Sequence, residues 1–250
     1  MIKTAFASST GRIRETNQDY VDIFKNHKDV IMAVVCDGMG GHQGGDVAST
    51  MAVSHLGHSF SKTDFEDPEI AKKWLNVQLK LENEVILETA DRFSDLNGMG
   101  TTIVVAIAFA EKILIGHLGD SRAYLYGNGQ FKQITEDHSL VNELIKIGEI
   151  TEQQARSHPQ KNIITETLGV SNGINPEFNL LEVHAGDIFL LCTDGLTNSL
   201  TDPQIQQILA TKNLTLKERC NRLINEANRL GGEDNITVCL LAYTEKGEDK

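Results

Sequence analysis

An α/β domain with antiparallel sheets and paired helices is the fold class this sequence predicts, from three observations. Short apolar runs such as VIMAVVC (30–36), TTIVVAIAF (101–109) and IFLLC (188–192) are bounded by glycine, aspartate or asparagine, as strands between turns are. Segments with helical periodicity come in adjacent twos, one pair before residue 95 and another after residue 200. No internal repeat, low-complexity tract or interdomain linker divides the chain. The expected organisation is one domain over residues 1–245 with a short polar tail at 246–250.

Taken in order, IKTAFAS (2–8) reads as a first strand, and YVDIF (20–24) pairs with VIMAVVC across the polar turn KNHKD. DVASTMAVSHLGHSF (46–60) has helical spacing, with Val47, Met51 and Leu56 near one face. PEIAKKWLNVQLKLENEVILETADRF (68–93) opens on a proline and carries Ile70, Trp74, Val77, Leu81 and Val85 at helical spacing. It is long enough to lie across a whole sheet. KILIGHL (112–118) and AYLYGNGQFKQIT (123–135) return to the β pattern, the second with a glycine-rich hairpin turn. Residues 137–169 are polar, helix-prone and poor in strand formers, which suits a flap at about 139–166 over a core built elsewhere. Strand signals resume in FNLLEVHAGDIFLLCTD (178–194), then two helices (202–210 and 216–230) precede the strand NITVCLLAY (235–243).

Composition narrows the function by exclusion. Thirty-five acids against 23 Lys and Arg give a net charge of −12, which opposes non-specific nucleic-acid binding but not a cation. Cys36, Cys192, Cys220 and Cys239 have no paired spacing, and three lie in apolar runs, so they read as reduced core thiols of a cytoplasmic protein. The N-terminus has no apolar stretch suited to a signal peptide, and no apolar run approaches the ~20 residues of a membrane span.

The acids fall in a pattern. VIMAVVC ends on Asp37, ILIGHLG on Asp120 and IFLLCT on Asp194, while Asp234 immediately precedes the strand NITVCLLAY. In an antiparallel sheet one strand's end lies beside its neighbour's start, so Asp37, Asp194 and Asp234 are expected to meet at one edge of the sheet. Grouped carboxylates repel unless protonated or sharing cations, and oxygen ligands suit Mg²⁺ and Mn²⁺. Each acid alone is explained as well by turn chemistry; the four together are not. After Asp37 comes GMGGHQGGD, with five glycines in eight positions, which suggests a backbone that approaches something closely. Other phosphate chemistries lack their letters. The sixth residue after each cysteine is His42, Asn198, Glu226 or Glu245 rather than arginine, and neither D-x-D nor a G-x-x-x-x-G-K-[ST] loop occurs.

RETNQD (14–19), DGMGGHQGGD (37–46), GMGTT (98–102), GDSRAY (119–124), CTDGLTN (192–198) and GGEDNIT (231–237) occur in an order that resembles the metal-dependent Ser/Thr phosphatases of the PPM (PP2C-type) family. DHSLVNEL is similar to the bacterial branch. The resemblance spans nearly the whole chain. It implies a sandwich of two central antiparallel β-sheets flanked by pairs of α-helices, and a dinuclear Mn²⁺ or Mg²⁺ centre at one end. By motif position, Asp37 bridges the two metals, the Gly38 carbonyl binds one, and Asp194 and Asp234 complete the other's shell. Asp120, with Asp194, matches a third, weaker metal site; Asp19 matches a position that holds metal-bound waters, and Arg14 the arginine that grips the substrate phosphate. Met39 and Gln18 stand where eukaryotic members have a histidine and a glutamate, which leaves His42 as either a substitute general acid or a contact at the substrate surface. His117 reads as a core histidine.

The implied reaction is single-step hydrolysis of phosphoserine or phosphothreonine by a hydroxide bridging two cations, opposing a cognate Ser/Thr kinase. The partners implied are phosphorylated proteins, with neither nucleic acid nor membrane, and the chain is expected to be a monomer. Two other functions stay open: a catalytically silent phosphoprotein-binding domain, and a hydrolase of small phosphate esters.

Overall fold

A computed structural model describes residues 1–156 and 158–245, apart from the side chains of 41–43 and 156. The polar tail 246–250 and the His42 side chain lie outside the described residues. The strands in chain order are β1 (Ile2–Ser9), β2 (Asp19–Lys25), β3 (Ile31–Met39), β4 (Gly100–Thr101), β5 (Ile103–Ala108), β6 (Lys112–Leu118), β7 (Arg122–Gly127), β8 (Gln130–Gln133), β9 (Glu177–Glu182), β10 (Ile188–Cys192) and β11 (Ile236–Tyr243). The α-helices are α1 (Gly41–Ser61), α2 (Pro68–Arg92), α3 (Leu140–Lys146), α4 (Glu152–Arg156), α5 (Asp194–Ser199), α6 (Asp202–Leu209) and α7 (Leu216–Arg229).

One sheet runs β1-β11-β10-β7-β8 and the other β2-β3-β5-β6-β9, with β4 paired to the end of β3. All these pairings are antiparallel. Helices α1 and α2 cover the second sheet, and α5, α6 and α7 cover the first, giving the four layers that the resemblance implies. The continuous apolar runs follow from this stacking, because a strand covered on both faces has no solvent side. Along β3, Met32, Val34 and Cys36 pack toward α1 and α2, while Ile31, Ala33 and Val35 point into the space between the sheets. There they meet Phe189, Leu191, Cys239 and Leu241 of the opposite sheet. All four cysteines are buried and unbridged.

Local chemistry explains most boundaries. Asp67 caps α2 by accepting from the Glu69 amide, with proline in the first turn. Thr215 and Glu218 form a reciprocal capping box on α7. Asn128 and Gly129 both take positive φ (52° and 75°) in the two-residue turn joining β7 to β8, as a type I′ hairpin requires.

Three boundaries depart from the sequence reading. Helix α1 starts at Gly41, five residues before the expected start, so most of the glycine-rich stretch is its first turn and not a loop. Glycine is a poor helix former, but here its size decides. A Cβ on Gly45 would lie 2.7 Å from the Gly38 carbonyl, and one on Gly38 would lie 2.0 Å from the Gly45 oxygen. The second departure is α5, a helix that opens on Asp194, too short to show a period. Third, the stripe at helical spacing in α2 is not the face it buries. Ala71, Leu75, Leu79, Glu82, Asn83, Ile86 and Ala90 go inward, while Ile70, Val77, Leu81 and Val85 are exposed.

The segment expected to be a flap carries α3 and α4 between β8 and β9. Its root is fixed by a Ser139–Ile164 bridge and by Arg122, which donates from Nη2 (2.6 Å) and Nε (2.8 Å) to Asp137. No described helix is long and apolar enough to cross a membrane.

Candidate metal and phosphate site

Both sheets deliver acids to one end of the sandwich. Asp37 lies near the end of β3 with Asp19 directly opposite it on β2. Asp194 follows the end of β10 and Asp234 precedes β11, so these two meet as antiparallel neighbours of the other sheet. Asp120 lies in the turn after β6. The expected meeting at one sheet's edge is therefore corrected: the acids come from two sheets and close over the mouth between them. Arg14, Asp37, Gly38, Asp120, Asp194 and Asp234 line one cavity of about 610 Å³, and Asp19 is buried beside it.

The motifs hold these acids in place. The Asp37 amide donates to Thr102 Oγ1 (3.1 Å), and the Asp37 carbonyl accepts from the Thr102 amide and Thr101 Oγ1 (2.9 Å each). Asn198, one turn along α5, donates to Asp194 Oδ2 (2.8 Å). Asn235 donates to the Thr10 and Thr16 carbonyls (2.9 Å each) and accepts from the Gln18 amide (2.8 Å). It thereby fixes the loop that carries Arg14, whose Nη2 donates to Asp234 Oδ2 at 2.9 Å. Thr193 Oγ1 donates to Asp19 Oδ2 (2.9 Å) and accepts from the Thr237 amide (3.0 Å), tying the two sheets beneath the acids.

The electrostatics are those of a site short of positive charge. Burial, then the charges of Asp19, Asp194, Asp120 and Asp234, push the Asp37 carboxyl well above the carboxylate range. Burial and Asp194 raise Asp120 to about 8, and burial raises Asp19 to about 7 against hydrogen bonds from Thr237 and Thr193. Burial and Asp234 also raise Asp194. Asp19 Oδ1 and Asp120 Oδ1 are buried with no hydrogen-bond partner, which is costly for a carboxylate oxygen in the absence of a cation. A carboxylate-rich, thiolate-free donor set with open oxygens fits hard divalent cations such as Mg²⁺ and Mn²⁺.

Every expected site residue whose side chain is described lies at or beside this cavity; His42 lies outside the described side chains. Met39 and Gln18 are in its wall. Residues the sequence reading passed over also belong to it: Asn198 and Asn235, which stood inside quoted motifs, and Lys161 of the flap, which no local pattern marks. A second cavity, of about 630 Å³, shares Asp120, Lys161 and Asp194 with the first and runs under the flap.

His117, expected to be a core histidine, is buried; its Nε2 pairs with the Glu136 carbonyl (2.8 Å) and its Nδ1 has no partner. With His138 and Glu177 it forms a group whose ligand atoms lie within 4.8 Å of one another. The Gly119 amide donates to His138 Nδ1, which puts the proton of a neutral His138 on Nε2, facing Glu177 Oε1 at 3.6 Å. That arrangement serves a histidine–carboxylate pair better than a metal, which needs the Nε2 lone pair.

A profile described as protein phosphatase 2C matches residues 10–229. The chain belongs to the protein phosphatase 2C family. It is a serine/threonine protein phosphatase of that type by its homology. Among its relatives is the serine/threonine phosphatase stp of Listeria monocytogenes, 42% identical over 247 residues, an alignment covering 98% of each chain. The solved structure of the Streptococcus agalactiae serine/threonine phosphatase superposes with a TM-score of 0.94 at 39% identity, covering 98% of this chain and 100% of that one. The catalytic domain of the phosphatase PstP, solved in complex with two manganese ions, superposes with a TM-score of 0.86 at 32% identity, covering 98% and 99%.

Proposed function

We propose that this chain hydrolyses phosphoserine and phosphothreonine in proteins at a site holding two Mn²⁺ or Mg²⁺ ions, and so reverses the action of a Ser/Thr kinase in the bacterial cytoplasm. The observation that carries this reading is the convergence of Asp37, Asp194 and Asp234 from two sheets, opposite Arg14, on one cavity. Asp37 and the Gly38 carbonyl would hold one cation, and Asp37, Asp194 and Asp234 the other. Asp120 with Asp194 would hold a third, weaker one, and Asp19 would order the surrounding water. Divalent cations bound there supply Lewis acidity, which makes water a nucleophile near neutral pH and neutralises charge on the phosphoryl oxygens.

The chain's own groups do the rest. The Arg14 guanidinium, held charged through its hydrogen bond with Asp234, presents a planar fork to the non-bridging oxygens of the phosphate. Asn198 and Asn235 keep Asp194 and the Arg14 loop in place while substrate enters and product leaves. Lys161, on the flap side of the cavity and, with Arg14, one of its two described cationic side chains, orients the phosphate or the peptide beside it. No cysteine or D-x-D nucleophile is on hand, consistent with direct attack on phosphorus rather than a phosphoenzyme. His42 stands as either a substitute general acid for the leaving serine or threonine oxygen or a contact at the substrate surface.

Phosphate release from a phosphothreonine peptide, measured with Mn²⁺, with Mg²⁺ and with EDTA, tests the reading on wild type and Asp194→Ala. Metal-dependent turnover lost in the variant is the expected result. A wild type that binds the phosphopeptide with metal supplied, yet releases no phosphate, would make this a binding domain. Equal turnover of a small ester with none of the peptide would make it a small-ester hydrolase.

A further inference from the structure

Two buried histidines take no part in the chemistry above: His117 on β6, and His138 in the stretch DHSLVNEL that leads into the flap. Their rings stack with centroids 4.8 Å apart. His117 stands opposite Glu177 in the β6–β9 register, and the Glu136 carbonyl holds its Nε2 (2.8 Å). His138 is fixed by that stack, by the Thr165 amide donating to its carbonyl (2.9 Å), and by Glu177 facing its Nε2. What His138 grips is Gly119. The His138 amide donates to the Gly119 carbonyl (3.0 Å), and the Gly119 amide donates to His138 Nδ1 (3.3 Å).

Gly119 has no room to shift. Its φ is +107°, and a Cβ there would lie 2.7 Å from the Thr102 Cβ, so it is wedged against Thr102 while His138 holds its amide and carbonyl. The residue after Asp120 is fastened as well. Ser121 Oγ pairs with Thr102 Oγ1 (2.7 Å), which also accepts from the Asp37 amide (3.1 Å) and so ties the turn to Asp37. Between these two fixed neighbours stands Asp120, whose Oδ1 is buried without a hydrogen-bond partner. An oxygen with no bond of its own is placed by its backbone. We infer that His138 is a positioning residue for Asp120: through Gly119 it holds that carboxylate where the third, weaker cation would bind, and His117 and Glu177 keep its ring in place. The inference rests on the cation site at Asp120 proposed above. Losing a group that orients a metal ligand costs about 10–100-fold in metal affinity.

Calorimetric titration of Mn²⁺ into the metal-free protein tests it on His138→Asn and His138→Gln. Both are amides, but only asparagine has an oxygen where Nδ1 stands and can accept from Gly119. The glutamine variant should weaken the weakest Mn²⁺ binding by about tenfold and leave tighter binding within about twofold of wild type, while asparagine restores it. Half-saturating Mn²⁺ for phosphopeptide turnover should rise in step, with kcat recovered at high Mn²⁺. Glu177→Ala, at an exposed side chain, leaves the core intact and should weaken the same binding by a smaller factor. In an Asp120→Asn background, His138→Gln should change Mn²⁺ binding no further, although it lowers the melting temperature in EDTA as much as it does in wild type. An unchanged weakest binding in His138→Gln or in Glu177→Ala overturns the inference. So does equal impairment by both amides, a uniform loss across all binding events, or a further loss in the Asp120→Asn background. An Asp120→Asn protein that binds Mn²⁺ like wild type overturns it too, since no cation then depends on that carboxylate. A wild type that shows the expected Mn²⁺ pattern but releases no phosphate sinks the phosphatase reading alone and leaves His138 in its role.

Discussion

Along β3 the side chains from Ile31 to Cys36 are buried in apolar contact on both faces, five of the six with no exposed surface. One residue on, Asp37 enters a group of carboxylates, and two of the nearby buried oxygens, Asp19 Oδ1 and Asp120 Oδ1, have no partner. The same strand therefore serves two regions with opposite demands. The interior is satisfied in the chain alone. The acid end needs protons or, on the proposed reading, cations. The lesson is that stability and activity are built at different points along the same strands, and substitutions should separate them.

The largest separation is expected at Phe189, fully buried between the sheets. Phe189→Ala should cost about 3–5 kcal/mol, lowering the melting temperature by roughly 10 °C, while kcat of the folded fraction stays near wild type. A fall in kcat below the folding midpoint would break the division between regions. Asp194→Ala should do the reverse. Turnover should drop by about 10²–10³-fold, the scale for losing a preorganised charge at a reaction centre, and the melting temperature in EDTA should rise or hold. A clear loss of metal-free stability would contradict the picture of an electrostatically burdened site. Arg14→Lys keeps the charge but loses the fork, so KM for a phosphopeptide should rise by about tenfold. Lys161→Ala should raise KM for the peptide more than for a small phosphate ester.

The smallest effect is a pH dependence of the metal-free protein. Asp19 and Asp120 titrate at about 7 and 8 in the folded chain, and unfolded aspartates at about 4. Between those values the folded state holds protons that the unfolded state has released, so stability is present at low pH and falls as pH rises through 7 to 8. In EDTA the melting temperature should decline between pH 6 and pH 8, and Asp37→Asn at pH 8 should recover about 2–4 °C, or ~1 kcal/mol. Saturating Mg²⁺ should flatten the slope, because cations take the place of the protons.

Strands and acids were the legible parts, and for a physical reason. A strand buried on both faces reads as an unbroken apolar run, and an aspartate at its end interrupts that run where the eye is already looking. What escaped depends on tertiary contact. Helix α1 begins among glycines because Gly38 and Gly45 must touch, and no local propensity says so. In α2 two stripes compete, and the more hydrophobic one, with Ile70, Val77, Leu81 and Val85, lies outside; Ala71, Glu82, Asn83 and Ala90 share the inward face. Asn83 is buried there because its side chain accepts from the Gly169 amide (2.8 Å) and donates to the Ser171 carbonyl (2.9 Å). Lys161 was invisible for the same reason: its place in the cavity is set by how the flap folds back, not by its neighbours in sequence.

The position of β11 has a consequence for synthesis. It lies between β1 and β10, pairing Ile2 with Tyr243 and Ser9 with Ile236. A ribosome adding about 5–20 residues per second releases β1 roughly ten to fifty seconds before its partner exists. Through that interval β1 has an unfilled edge, Asp194 lacks Asp234, and the Arg14 loop lacks Asn235. On the proposed site the nascent chain is catalytically mute until β11 is in place, and the same order exposes it to mispairing at the β1 edge.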